Sequence, residues 1–281
     1  MNRCRIFTLY SGSGGNSVYI RVADTAILID AGKSARALCN ALKAIGTDMS
    51  EIRAIFVTHD HHDHVSALEV LSKKHEIPIH MTDRSAEVFD RYPTSPVHAR
   101  LVRHTPVFSE RVGPLLVTSF PTPHDSRMSV GYRIEWECEG ETRRIGVATD
   151  IGYVSDEIRE GLCGCDAVVL ESNHDVDMLM KGPYPYDLKQ RIRSKRGHLS
   201  NHDSALFSAE LAGKGTRAFL LAHLSEENNE PSLALEETER AISDPGIRIT
   251  VASPDEPTEL KVPTMEEIER DRCEIYNPWN A

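Results

Sequence analysis

The stretch Ala54-Ile55-Phe56-Val57-Thr58-His59-Asp60-His61-His62-Asp63-His64 joins a hydrophobic run to a dense group of metal-binding residue types. Its first four residues are typical of a buried β-strand. Four of the chain's 13 histidines follow within six positions, together with two aspartates. Imidazole nitrogens and carboxylate oxygens are ligands that zinc and similar divalent cations prefer. The stretch therefore predicts a strand whose carboxyl end carries a metal site.

The ordinary alternative is that these polar residues form a solvated loop. A solitary His-x-His pair would fit that interpretation. Six consecutive candidate ligands directly after a hydrophobic strand, from His59 to His64, favour metal binding instead.

Composition excludes several classes of protein. The chain has 281 residues, of which 40% are hydrophobic and 27% charged, so it can bury the core of one large domain. We find no run of the roughly 20 apolar residues that a membrane helix needs, and Met1–Tyr10 is expected to be a first strand rather than a signal peptide. Six scattered cysteines favour reduced thiols and a cytoplasmic location. The net charge of −11 argues against indiscriminate binding of nucleic acid.

The order of elements predicts a mixed α/β fold. Ten short runs have strand character, namely Ile6–Tyr10, Val18–Val22, Ala26–Ile29, Ala54–Val57, Leu115–Phe120, Gly131–Trp136, Ile145–Ala148, Ala167–Leu170, Ala218–Ala222 and Ile247–Val251. Amphipathic stretches of helix length lie between many of them, namely Ser34–Ile45, Ser66–Lys74, Ser85–Arg91, Asp187–Arg193, Ser204–Ala212 and Ser232–Ile242. We predict a single hydrolase domain over residues 1–262 and an acidic C-terminal tail over residues 263–281.

Three later residues follow other strand-like runs. His124, Asp150 and His223 could, taken singly, be a loop histidine, a turn residue and a satisfied core histidine. They occur, however, in the order expected after a His-x-His-x-Asp-His motif, and with that motif the sequence resembles the metallo-β-lactamase superfamily. This resemblance implies a four-layer αββα sandwich of two mixed β-sheets.

The resemblance also implies a pair of divalent metal ions, with zinc as the first choice and manganese as the second. The side chains that would bind them are His59, His61 and His124 for one ion, Asp63, His64 and His223 for the other, and Asp150 as a bridge. Two cations about 3.5–4 Å apart can lower the pKa of a shared water toward ~7. Asp63 is expected to orient that water and accept its proton. His61 stands where oxygen-reducing di-iron relatives carry glutamate, which favours hydrolysis over redox chemistry.

Further stretches resemble one bacterial subfamily, the YycJ/WalJ-like nucleases, over almost the whole chain up to about Val251. The matching segments are Ser11–Ser17, Thr149–Ser155, Glu171–Asp175, Gly197–Asn201 and Leu221–Asn229. This similarity is more specific than the metal motif alone. It implies a 5′-to-3′ DNA exonuclease.

A basic run points to a phosphate-containing substrate. Residues 181–196 contain six lysines and arginines against one aspartate, and such a run can contact several phosphates or can simply be a solvated helix face. Its last two members, Lys195 and Arg196, lead directly into His198. By resemblance to ribonuclease Z-like relatives, His198 is a candidate general acid for the leaving oxygen. The alternative is that it merely precedes a helix cap.

Three more residues are candidate substrate contacts. Ser13 and Asn16 belong to a serine–glycine loop whose exposed backbone N–H groups can approach a phosphate, although such a loop is more often only a turn. For His174, substrate contact and structural hydrogen bonding are equally open.

Three functions follow from these observations. We favour a phosphodiesterase acting on nucleic acid, with DNA ahead of RNA as the substrate partner. The second is hydrolysis of a small thioester, lactone or lactam by the same metals, which would need no basic run. The third is a non-catalytic metal-binding regulatory protein. The sequence predicts no membrane partner and leaves the oligomeric state open.

Overall fold

A computed structural model describes residues 4–91, 94–262 and 267. The predicted acidic tail, residues 263–281, lies outside the described residues except for Glu267, so the boundary at residue 262 stays a prediction. Within the described ranges, none of the helices combines the length and the apolar character needed to cross a bilayer.

In the described residues, the first sheet has seven strands, antiparallel in one half and parallel in the other. Its strands are β1 (Cys4–Tyr10), β2 (Ser17–Val22), β3 (Thr25–Ile29), β4 (Ile52–Phe56), β5 (Ile79–Thr82), β6 (Leu101–His104) and β14 (Thr258–Glu259). They are ordered β14-β1-β2-β3-β4-β5-β6. β1 to β3 pair antiparallel, whereas β3 to β6 pair parallel.

The second sheet has the same size and the same mixed character. Its strands are β7 (Ser109–Val112), β8 (Leu115–Thr122), β9 (Ser129–Cys138), β10 (Glu141–Ala148), β11 (Ala167–Glu171), β12 (Ala218–Ala222) and β13 (Arg248–Val251). Their order is β13-β12-β11-β10-β9-β8-β7. β7 to β10 form an antiparallel meander, and β10 to β13 pair parallel.

The helices of the described residues include those that cover the outer face of each sheet. They are α1 (Ala35–Ala44), α2 (His62–Val65), α3 (Leu68–Lys74), α4 (Asp83–Asp90), α5 (Asp156–Leu162), α6 (Val176–Lys181), α7 (Tyr186–Ile192), α8 (Asn201–Gly213) and α9 (Pro231–Ala241). Short 3₁₀ helices occupy Met49–Glu51 and Pro96–Ala99.

Three hydrophobic cores separate the four layers. In β3, Ile27 and Ile29 point into the core between the sheets, whereas Leu28 points into the core beneath α1 and α3. Side chains alternate between the two faces of a strand, and a strand covered on both faces reads as a continuous apolar run. A third core lies between the second sheet and helices α5 and α8. The predicted αββα sandwich is therefore confirmed.

The carboxyl ends of six strands carry the polar residues of the site. His59 follows β4, His124 follows β8, and Asp150 follows β10. Glu171 is the last residue of β11, and His223 comes directly after β12. Asp30, directly after β3, completes the set. Loops at the carboxyl ends of parallel strands meet on one side of a sheet, so residues far apart in sequence converge there.

Candidate metal centre

Three histidines from both sheets form a first cluster. His59 and His61 leave the end of β4, and His124 leaves the end of β8. One ring nitrogen from each lies within 4.8 Å of the others. The closest pair is His124 Nε2 and His61 Nδ1, which are 3.3 Å apart. These are the three residues that the family resemblance assigned to one metal ion.

A second cluster combines Asp63, His64 and His223 within the same 4.8 Å limit. Asp63 Oδ2 lies 3.3 Å from His64 Nε2 and 3.7 Å from His223 Nε2. Asp63 and His64 belong to α2, a single turn that folds the His-rich motif back on itself. The turn explains how consecutive residues supply ligand atoms to two different clusters.

Asp150 lies between the two clusters. Its Oδ2 is 3.2 Å from His64 Nε2, and its Oδ1 is 3.6 Å from His223 Nε2. The same Oδ1 is 3.7 Å from His124 Nε2, in the first cluster. The side chain is almost completely buried. One carboxylate thus reaches both groups of histidines.

The chemistry of these side chains fits a pair of divalent cations. Among the buried atoms that have no hydrogen-bond partner in the described residues, three belong to the candidate ligands, namely His59 Nε2, Asp150 Oδ2 and His223 Nε2. Buried polar atoms are almost always satisfied, because an unpaired one costs about 1–3 kcal/mol. All three belong to the clusters above, and nitrogen with carboxylate oxygen is a donor set typical of zinc and related metals.

Asp30 fixes the orientation of His64 and was not predicted from the sequence. Its Oδ2 accepts a hydrogen bond from His64 Nδ1 at 2.8 Å, and its Oδ1 accepts one from the Thr58 backbone N–H at 2.8 Å. A carboxylate on one ring nitrogen leaves the other nitrogen free for a metal and sets the ring orientation. His64 Nε2 therefore faces the cluster.

Glu171 orients two further histidines and was also missed. Its Oε1 accepts hydrogen bonds from His198 Nδ1 at 2.8 Å and from His223 Nδ1 at 2.9 Å. Its Oε2 accepts from the backbone N–H groups of Ile151 and Leu199. Burial raises the pKa of this carboxyl, but His198 and His223 outweigh burial and bring it down to about 2. The two histidines thus favour the ionised form of Glu171.

The carboxylates set the charge of the buried histidines. Burial lowers the pKa of His223, but Asp150 and Asp63 more than compensate and raise it to about 10. His59 behaves in the opposite way, because burial and then the neighbouring His64 hold its pKa well below the usual range. A divalent cation would take the place of the protons that this acidic pocket otherwise attracts.

Backbone geometry also marks the site. Asp30, Asp150 and His223 have φ values of 64°, 58° and 59°, the left-handed region that side chains other than glycine seldom adopt. Such a residue costs about 1–3 kcal/mol and persists where the surroundings hold it in place. Each of the three follows the end of a strand and turns its side chain into the clusters.

The Ser11–Ser17 loop packs against the metal centre. Asn16 is buried, and its Nδ2 donates to Asp63 Oδ2 at 3.1 Å. Its Oδ1 accepts from the Gly12 N–H at 2.9 Å, so the amide is engaged within the loop and with the predicted ligand. Ser13 is exposed and lines a neighbouring cavity. Of the two predicted contacts, Ser13 is therefore the accessible one.

An open cavity of about 200 Å³ adjoins the second cluster. His198 lines it together with His223, and Arg191 of α7 contributes a guanidinium. The remaining lining residues are Ser13, Asp125, Asn173, Tyr184, Leu188, Ile192, Gly197 and Ser225. The cavity thus brings the predicted general acid and a predicted ligand to one surface that solvent can reach.

The basic residues of the run 181–196 have different contacts in the structure. Lys181 pairs with Asp177 at 2.7 Å, and Lys189 Nζ donates to two backbone carbonyls. The exposed Lys195 ammonium lies 5.8 Å from the centre of the Tyr153 ring. The exposed Arg196 donates from Nε to the His124 carbonyl at 3.2 Å. Arg191 alone among the run's basic residues lines the cavity described above.

His174 lies below the surface rather than in the cavity. Its side chain is 2% exposed, and its Nδ1 has no hydrogen-bond partner among the described residues. Burial lowers its pKa to about 4, so the ring is neutral at pH 7. A contact between this histidine and a substrate would require the surrounding loops to move.

Comparison with known proteins agrees with this geometry. A family model described as the beta-lactamase superfamily domain matches residues 25–224. Exodeoxyribonuclease YycJ of Bacillus anthracis is 33% identical over 260 residues, which cover 91% of this chain and 96% of that protein. Exodeoxyribonuclease WalJ of Streptococcus pneumoniae strain D39 is 33% identical over 232 residues, which cover 80% and 83%.

A solved structure has the same fold at lower identity. The metallo-beta-lactamase fold protein YhfI of Bacillus subtilis superimposes with a TM-score of 0.69 and 19% identity, covering 91% of this chain and 98% of that one. The family model and the identity to the two curated relatives establish membership more directly than this likeness of fold. The chain belongs to the beta-lactamase superfamily domain family, within its YycJ-like branch.

Proposed function

We propose that the protein is a metal-dependent phosphodiesterase, specifically a 5′-to-3′ DNA exonuclease. The observation that carries this proposal is the position of His198. It lines the cavity beside the second cluster, and its Nδ1 is held by a fully buried carboxylate at 2.8 Å. Hydrolysis of a phosphodiester needs a proton donor for the leaving oxygen next to the attacking water, and this histidine meets that need.

The metal-binding roles follow from the clusters. His59, His61 and His124 would hold one divalent ion, Asp63, His64 and His223 the other, and Asp150 would contact both. Zinc is our first choice and manganese the second. Ions held there would lower the pKa of a bound water toward ~7 and stabilise negative charge on the phosphate.

Asp63 is the side chain we assign to handle the proton of the attacking water. About a quarter of it is exposed, unlike the fully buried His64 beside it. Asn16 and the two neighbouring histidines hold its carboxylate in one orientation. Because those contacts stabilise the ionised form against the penalty of burial, the pKa of Asp63 lies far below its usual range.

His198 can act as a general acid through its free nitrogen. With Nδ1 donating to Glu171, a second proton on Nε2 can pass to the leaving oxygen. Burial disfavours the charged ring, but Glu171 outweighs burial and raises the pKa of His198 above its usual value. The contact with Glu171 thus favours the protonated ring that a general acid needs.

The names of two curated relatives favour DNA as the substrate. The two curated relatives are named exodeoxyribonucleases. The net charge of −11 repels a polyanion, so a nucleic acid would be attracted only where the cations and Arg191 reverse the local sign.

We also keep the cytoplasmic location inferred from the cysteines as part of this proposal.

The decisive experiment compares labelled substrates. Metal-quantified protein, loaded with zinc or manganese, is incubated with 5′-labelled and 3′-labelled DNA and RNA, single-stranded and duplex. We expect mononucleotide release from the 5′ end of DNA and a loss of more than about 100-fold in Asp63→Ala and His198→Ala, in keeping with the usual contribution of acid–base catalysis. His202→Ala, which removes an exposed histidine of α8, serves as the matched control.

Three outcomes would count against the proposal or against a role assigned in it. Intact nucleic acid alongside cleavage of a thioester, lactone or lactam would establish the alternative hydrolase. Unreactive protein with both metals bound would favour the regulatory alternative. Undiminished activity in Asp63→Ala would contradict the assigned role of that carboxylate.

A further inference from the structure

Asp125 stands between the first histidine cluster and the cavity. It directly follows His124, and its Oδ1 lies 3.4 Å from His124 Nε2 and 3.9 Å from His61 Nε2. Its Oδ2 accepts a hydrogen bond from Arg191 Nε at 2.5 Å. The two oxygens of one carboxylate thus face two different partners, the histidine cluster and helix α7.

The oxygen on the cluster side lacks a conventional partner. Asp125 Oδ1 is buried, and it accepts no hydrogen bond from any described residue. An ion pair at the surface would explain Oδ2 but would leave a buried carboxylate oxygen without compensation, which is costly. A cation held by His61 and His124 would lie within reach of this oxygen and would satisfy it.

Arg191 is fixed at one point and free at two others. Its Nε is bound to Asp125, whereas its two Nη groups donate no hydrogen bond to any described residue. The side chain is about 60% exposed and lines the cavity together with His198. A guanidinium held through Nε presents its Nη fork to an incoming anion, and a phosphate can accept two parallel hydrogen bonds from it.

We propose that Asp125 is a positioning residue that ties Arg191 to the His61–His124 half of the metal centre, and that Arg191 binds a phosphate of the substrate in the cavity. This inference rests on the proposed phosphodiesterase function. It assigns a role to one member of the basic run and separates that member from its neighbours. Arg193, two residues further on, contacts Met180 Sδ and does not line the cavity.

The test measures metal binding and catalysis separately. Zinc affinity is determined by competition with a colorimetric chelator, and KM and kcat are determined on a 5′-labelled DNA duplex. Arg191→Gln should raise KM about tenfold to a hundredfold, the usual effect of losing hydrogen bonds to a charged group, with unchanged zinc affinity. Arg191→Lys keeps the charge but not the fork, so its KM should be intermediate.

Asp125→Asn should affect both the zinc affinity and the KM for DNA. One of the two zinc equivalents should bind about 10-fold to 100-fold more weakly, and KM should rise as in Arg191→Gln. In a variant that carries both Asp125→Asn and Arg191→Gln, the two increases in KM should not add. The reason is that Asp125 affects KM only by holding Arg191 in place. Arg240→Gln, which removes an exposed arginine of α9, is the control for lost charge.

The outcomes distinguish this inference from the proposed function. If the wild-type protein leaves DNA intact, the phosphodiesterase assignment fails. The zinc titration of Asp125→Asn then still tests whether Asp125 contributes to metal binding. If DNA is degraded but Arg191→Gln matches Arg193→Gln in KM, the phosphate role of Arg191 is overturned. Wild-type zinc affinity at both sites in Asp125→Asn would overturn the link to the metal centre.

Discussion

A single buried residue, Glu171, accepts hydrogen bonds from four donors. Two are imidazole N–H groups on its Oε1, and two are backbone N–H groups on its Oε2. A carboxylate has only acceptors and suits this environment, whereas an amide would turn an NH₂ group toward N–H donors on one side. The charge of Glu171 and its double acceptor geometry are therefore both required.

We predict that Glu171→Gln impairs catalysis and metal binding together. Zinc affinity and kcat should each fall about 10-fold to 100-fold, because the partners that orient metal-binding histidines usually contribute that much. The measurements are zinc competition and single-turnover rates on DNA. Glu160→Gln, on the exposed face of α5, is the control. If Glu171→Gln binds zinc like the wild type, the orienting role of Glu171 toward His223 is wrong.

The sequence identified histidines more easily than their supporting carboxylates. His59 to His64 stand out because six potential ligands are consecutive. Asp30 and Glu171 instead stand alone at strand ends, where an acidic residue ordinarily marks the return of the chain to solvent. Their roles depend on contacts with His64 and His198, which are distant in sequence. Local patterns carry no information about such partners.

At the level of elements, the loops that follow β1 and β3 pack closely against the backbone of α2. The Asn16 N–H donates to the Asp63 carbonyl at 2.8 Å, and the Gly32 N–H donates to the Asn16 carbonyl at 2.9 Å. A Cβ atom added at Gly32 would lie 1.9 Å from the Asp63 carbonyl oxygen. Glycine is required here because three backbone segments meet.

We predict that Gly32→Ala destabilises the fold by at least about 2 kcal/mol, since the backbone must shift to admit the methyl group. Gly213→Ala is the matched change, because a Cβ there meets nothing within 4 Å at the end of α8. It should be neutral or stabilising by about 0.5 kcal/mol. Urea denaturation gives both values. Equal stability of the two variants would contradict the close approach.

The ten strands predicted from apolar runs all lie in the two sheets, and apolar runs of this kind are typical of strands with both faces covered. Four strands were missed, namely β5, β6, β7 and β14. β6 reads Leu-Val-Arg-His and β7 reads Ser-Glu-Arg-Val, and both are short, partly polar edge strands. Edge strands bury little apolar surface, so their sequences lack the continuous apolar run that is typical of central strands.

Across the whole molecule, the candidate metal ligands come from both sheets. The first sheet supplies His59, His61, Asp63 and His64 through the end of β4, and the second sheet supplies His124, Asp150 and His223. The core between the sheets fixes the relative position of these two groups. Metal binding and sheet packing are therefore expected to stabilise each other.

We predict that removal of the metal lowers thermal stability. Each ion that binds only the folded state contributes about 2.7 kcal/mol at a free concentration of 100 times Kd. For a domain of this size, two such ions correspond to a fall in Tm of about 10–20 °C. Calorimetry of zinc-loaded and chelator-treated protein measures the difference. His59→Ala should show a smaller fall, and an unchanged Tm after verified metal loss would exclude the coupling.

The division of ligands between the sheets has a consequence for synthesis on the ribosome. The histidine-rich loop of β4 leaves the ribosome long before β12 brings out His223, which completes the second cluster. Until then, the growing chain lacks one of the three residues of the second cluster. Secure capture of both ions must therefore be a late event, which follows translation of most of the chain rather than guiding it.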